Sequence, residues 1–123
     1  TLIYFFKGIG RVAENMLARS PSEIEIPTVV VHEIETGIAK SERAHTMRRQ
    51  FDQLLEIVHL SPFDYAAARQ AARLRARLER KGTPIGPLDT LIAGTALARG
   101  ATLVTHNTGE FNRVEGLNLT DWY

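Results

Sequence analysis

GPLDTLIAGTALARG, residues 86–100, is the stretch from which the rest of the chain is read. Both of its ends carry helix punctuation. Pro87 suits a first helical turn, where an amide would have no partner. Gly100 suits the left-handed position just past a helix end. Leu88, Leu91, Ile92, Thr95, Ala96 and Arg99 recur at helical spacing and predict one mostly apolar side. ATLVT, residues 101–105, comes at once after it and reads as a short buried strand. Asp89 falls in the first turn of this helix. A carboxylate there is stabilised by the free amides and the dipole. It gains chemical interest only if other acids reach the same end of a sheet.

Working outward, the chain alternates apolar strands with helices. Residues 2–6, LIYFF, form an apolar block that pattern alone leaves open between helix and strand. Residues 12–19 read as a short helix ended by Ser20-Pro21-Ser22. Residues 23–26 alternate as a strand does, and a helix is predicted over residues 29–40 with Thr28 as its cap. Val30, Ile34 and Ile38 lie four apart along it. A second helix spans residues 42–55, with Met47, Phe51, Leu54 and Leu55 on its core side. Residues 57–60 read as a strand, and Asp64 can cap a helix that begins at Tyr65.

Residues 65–81, YAAARQAARLRARLERK, are rich in strong helix formers. Ala67, Ala71, Leu74 and Leu78 make the buried stripe. Arg69, Arg73, Arg77, Arg80 and Lys81 make a basic one, which is either a solvated face or a phosphate-facing surface. A Pro/Gly loop leads back to residues 86–100. HNTGEFNRVEG, residues 106–116, reads as a surface loop, and residues 117–119 as a last strand.

Length fits one domain, and an apolar share of 44% beside a charged share of 24% places it among ordinary globular proteins. The absence of cysteine excludes disulfides and thiolate metal sites and suits a reducing cytoplasm. No apolar run is long enough to span a membrane, so no membrane partner is expected. With a formal charge of +1, the distribution of charge matters more than its sum.

Strand–helix alternation predicts a parallel sheet covered by helices on both faces, a three-layer α/β/α domain. Ligands of such folds gather outside the carboxyl ends of the strands. Glu33 comes after the 23–26 strand, Asp89 opens the central helix, and Glu110, with Asn107 beside it, comes after the 101–105 strand. A solvated helical glutamate is the plain alternative for Glu33. Clustered carboxylates must take up protons or hold a cation, and hard oxygen donors suit Mg²⁺ or Mn²⁺. Phosphodiester hydrolysis is the chemistry such a site supports. The four histidines show no ligand spacing.

The residues that carry these features resemble a known family. LIYFFKG, IPTVVVHEIETGI, RKGTPIGPLDTLIAGTALARG, LVTHNTGEF and GLNLTDWY resemble, in order and spacing, the PIN-domain ribonucleases, specifically VapC-type toxins of toxin–antitoxin pairs. The resemblance implies that Glu33 and Asp89 are the second and third acids of the site. It implies that Glu110 replaces the fourth acid, whose usual place here is Asn107, and that Thr105 orients the site. It implies a Mg²⁺- or Mn²⁺-dependent endoribonuclease that cuts structured RNA such as a transfer RNA. Glu33, Asp89 and Glu110 would be its metal ligands, and Arg69, Arg73 and Arg77 would grip the RNA backbone. It further implies a homodimer, a small VapB-type antitoxin that covers the acidic groove, and operator DNA bound through that antitoxin. By resemblance residues 2–6 become the family's first helix. Its first strand and aspartate would then precede Thr1, leaving the sheet without its central strand and metal binding weak. A dimerising, antitoxin-binding module without nuclease activity is the alternative, and a small-nucleotide phosphohydrolase is a third reading.

Overall fold

The computed structural model describes residues 2–4, 24–105 and 108–120. Five short strands form one sheet in the order β3-β2-β1-β4-β5, and every neighbouring pair is parallel. They are β1 (Leu2–Tyr4), β2 (Ile24–Pro27), β3 (His59–Ser61), β4 (Thr102–Val104) and β5 (Asn118–Thr120). The helices are α1 (Thr28–Lys40), α2 (Ala44–Leu55), α3 (Tyr65–Arg80), α4 (Pro87–Arg99) and α5 (Thr108–Phe111). This is the α/β arrangement the alternation predicts. Among the described residues, no helix is long and apolar enough to cross a membrane.

All four residues of β2 are buried, as an interior strand of a parallel sheet requires. Val30, Ile34 and Ile38 of α1, Phe51 and Leu54 of α2, and Leu74 and Leu78 of α3 close over the same core. Asp64 caps α3, its Oδ1 accepting from the Ala67 amide at 2.9 Å. Gly100 ends α4 in the left-handed region at φ 59°.

Four expectations need correction. Residues 2–4 are strand rather than helix, and they pair with both β2 and β4, so the sheet does have a central strand. A slot between two parallel strands needs a short apolar segment with free backbone groups on both sides, and Leu-Ile-Tyr meets that need. Thr28 is the first residue of α1 rather than its cap, which is Pro27. The Thr28 hydroxyl instead accepts from the Phe63 amide at 3.2 Å, tying α1 to the turn before α3. Residues 106–116 are not all loop, because α5 forms within them and Phe111 plugs it into the core. Finally, α4 is enclosed rather than one-sided: Thr90 and residues 92–96 are all buried, while Leu88 is exposed.

Gly94 explains that enclosure. A β-carbon there would stand 2.6 Å from Cβ of Ala71 and under 3 Å from the Ala71 backbone. Helices α3 and α4 therefore touch backbone to backbone at this point, which only glycine permits. The expected helix over residues 12–19 lies outside the described residues.

Candidate active site

The amino end of α4 and the segment after β4 meet at one place. Gly86 precedes the helix with Pro87 at its first position, and Gly86 O accepts from both the amide (2.9 Å) and the hydroxyl (3.0 Å) of Thr90. Those bonds close the first turn, from which Asp89 projects. On the other side, the Thr105 amide donates to Thr120 O at 3.0 Å, extending the β4–β5 ladder past the strand end. Thr105 is fully buried there. Helix α5 then carries Glu110 while its neighbour Phe111 holds it to the core.

The Gly86 amide donates to Oε1 of Glu110 at 2.6 Å, a short charge-assisted bond. A β-carbon built on Gly86 would lie 3.4 Å from Oδ2 of Asp89 and 3.6 Å from Oε1 of Glu110. Both carboxylates thus border the same point. Two carboxylates so close favour either a shared proton or a cation between them. Their oxygens are hard donors suited to a small divalent ion, and the positive amino end of α4 favours both carboxylates in their charged form. Sequence reasoning misses the Gly86 amide as a partner, although its signal is present: a glycine directly before the Pro87 that starts the helix.

Glu33 sits half-buried on α1, which packs on α4. Among the described residues, no three His, Cys, Asp or Glu side chains converge closely enough to hold one ion. The structure therefore pairs Asp89 with Glu110 and does not add Glu33 to them as a triad. Asn107 lies outside the described residues. Glu35, two positions on, has a different task. It pairs with both terminal nitrogens of the Arg48 guanidinium, one at 2.8 Å, and joins α1 to α2. Those bonds hold the Glu35 carboxyl below its ordinary range.

On α3, Arg69, Arg73 and Arg80 are exposed and Arg77 is half-buried. Among the described residues none of the four makes an ion pair, whereas Glu79 is taken by Arg75 at 3.0 Å. Like charges four apart on a helix repel, so this row carries a cost that an anion would relieve. A cleft of about 660 Å³ opens between α3 and α4, lined by Phe63, Ala72, Leu78, Ile85 and Leu91 among others. It is mainly apolar, and neither Asp89 nor Glu110 lines it.

Parallel strands with acids at a carboxyl edge define a recognisable class. The family model of the PIN domain matches residues 2–117, and the chain belongs to that family. Its similarity is to the VapC ribonucleases within it. The chain is 38% identical over 97 residues to the tRNA(fMet)-specific endonuclease VapC of Shigella flexneri, covering 79% of this chain and 74% of that one. It is 36% identical over 107 residues to ribonuclease VapC2 of Rickettsia felis, covering 87% and 79%. Among solved structures, DNA-bound VapBC from Salmonella typhimurium superposes with a TM-score of 0.90 at 27% identity, covering 100% of this chain and 98% of that one. VapBC2 from Rickettsia felis bound to a promoter DNA fragment gives 0.88 at 28% identity, with full coverage of both.

Proposed function

We propose that this chain is a divalent-metal-dependent endoribonuclease toxin that cuts structured RNA of the transfer-RNA kind and is held inactive by a cognate VapB-type antitoxin. The observation that carries the reading is the meeting of Asp89 and Glu110 around Gly86 in a PIN fold. Relatives named as tRNA(fMet)-specific endonucleases support the substrate class. VapBC complexes of the same fold support the antitoxin, and the DNA-bound ones support operator DNA reached through it. The protein acts in the cytoplasm, as a homodimer.

Mg²⁺ is commonly held by one or two carboxylates together with waters and substrate phosphate, so a pair of acids suffices to seat it. Once bound, Mg²⁺ or Mn²⁺ would offset charge on the phosphoryl group and make water a better nucleophile. Asp89 and Glu110 would hold that ion. The Gly86 amide fixes one oxygen of Glu110. Thr105, buried at the end of β4, sets the direction in which the chain leaves for Glu110. Glu33 and Asn107 are further candidate contacts for the substrate phosphate. Arg69, Arg73 and Arg77 take backbone phosphates, and Tyr65, 71% exposed and four residues before Arg69, offers a base a flat surface.

The test is incubation of the purified protein with total transfer RNA and Mg²⁺ or Mn²⁺, with Asp89→Asn and Glu110→Gln beside it. Cleavage that needs the ion and both carboxylates is expected. Cleavage that survives chelation, or is equal in Asp89→Asn, contradicts the reading. Intact RNA together with retained antitoxin binding would leave a binding module in its place.

A further inference from the structure

Two segments far apart in sequence run antiparallel beside the proposed site and are laced at three points. Gly86 N donates to Glu110 Oε1 at 2.6 Å, Arg113 Nη1 donates to Pro84 O at 3.0 Å, and Lys81 Nζ faces Glu115 Oε1 at 4.0 Å. As one segment advances from 81 through 84 to 86, its partner retreats from 115 through 113 to 110. Glycines with positive φ flank its outer stitch, Gly82 (71°) just after Lys81 and Gly116 (81°) just after Glu115, each turning the chain where a side chain would be strained. Neither segment belongs to a strand or long helix, so no backbone ladder holds them side by side.

We propose that Arg113 is a positioning residue for the acidic pair, acting as the central stitch of a strap that holds α5 against the amino end of α4. The inference rests on the reading of Asp89 and Glu110 as the pair that holds the ion. Two like charges bordering one point repel, so the spacing of the segments that carry them matters. The outer stitch, Lys81–Glu115, is exposed and at the limit of ion-pair distance, so it holds little. The inner stitch is Glu110 itself. Arg113 is the one charged group of the three stitches that grips the loop backbone without belonging to the site: three residues after Glu110, it takes the Pro84 carbonyl two residues before Gly86. Its guanidinium fixes the distance between the two segments, and through it the separation of the carboxylates. It touches neither substrate nor ion.

Arg113 is exposed, so Arg113→Ala should fold. Amide exchange of Gly86, followed by NMR, reads the strap directly. Mn²⁺ affinity by calorimetry reads its effect on the acids. The expected result is about tenfold faster Gly86 exchange and weaker Mn²⁺ binding in Arg113→Ala, partly restored in Arg113→Lys, which keeps one donor. Unchanged Gly86 exchange in Arg113→Ala overturns the proposal. Faster exchange in a protein whose wild type takes up no Mn²⁺ removes the ion-holding reading and leaves the strap standing.

Discussion

The two ends of α4 handle negative charge in opposite ways. At the carboxyl end, Arg99 closes on Glu25 of β2 with two hydrogen bonds, Nε to Oε2 at 2.5 Å and the second from Nη2 to Oε1. Ser61 of β3 adds a third donor to Oε2 at 3.4 Å. Glu25 is only 8% exposed, yet every part of its charge is answered. At the amino end, Asp89 and Glu110 crowd one glycine, and the amide they border is neutral. The first arrangement binds three elements together and has no charge to spare. The second gathers two carboxylates at the border of one glycine, where a cation could be held between them. Ion pairing at one end and crowding at the other separate what stabilises the fold from what the fold is used for.

Breaking the crowded end should give the largest effect on activity and little on folding. Asp89→Asn or Glu110→Gln should lower RNA cleavage by roughly 100-fold or more. Without metal, thermal melting should show only a small change in Tm, because the relieved repulsion offsets the lost dipole stabilisation of Asp89 or the lost charge-assisted bond of Glu110. A clear drop in Tm would place these acids in the structural class with Glu25.

The next effect lies at the middle of the helix. Gly94→Val should cost about 3 kcal/mol or abolish folding, read by urea unfolding, because a side chain there would meet the Ala71 backbone at under 3 Å. At the satisfied end, Glu25→Gln should cost about 1–3 kcal/mol in the same measurement, with Arg99 losing its counter-charge. RNA cleavage per folded molecule should stay near the wild-type value.

The smallest effect contrasts a surface pair with both ends. Arg48 lowers the Glu35 pKa below 4.5, so its ionised form is favoured by folding. The pair therefore contributes above that value, and its contribution fades as pH falls through the lower folded value. Side chains about 40% exposed keep it weak. Glu35→Gln should lower Tm slightly at pH 7, and the difference should fade as pH falls below the ordinary carboxylate range.

Much of the fold is legible in the chain itself. Pro87 and Gly100 mark both ends of α4, and the four-residue spacing of Val30, Ile34 and Ile38 marks α1, because local backbone rules suffice there. Residues 2–4 are harder. Their apolar run serves a helix or a strand equally well, and only β2 and β4 on either side decide it. Gly94 gives no local sign of the bare contact it makes with Ala71, since that need belongs to another helix. Asp89 and Glu110 can be named as candidates from their places after strands, but not the Gly86 amide that joins them. Glu25 reads only as part of an alternating strand, because its partner Arg99 lies 74 residues away.

Calorimetric titration of Mn²⁺ into wild type, Asp89→Asn, Glu110→Gln and the double variant tests the central claim most directly. If the two carboxylates hold one ion together, each single change should cost nearly as much affinity as both combined. Single variants that bind as tightly as wild type, or losses that simply add, would contradict a shared site.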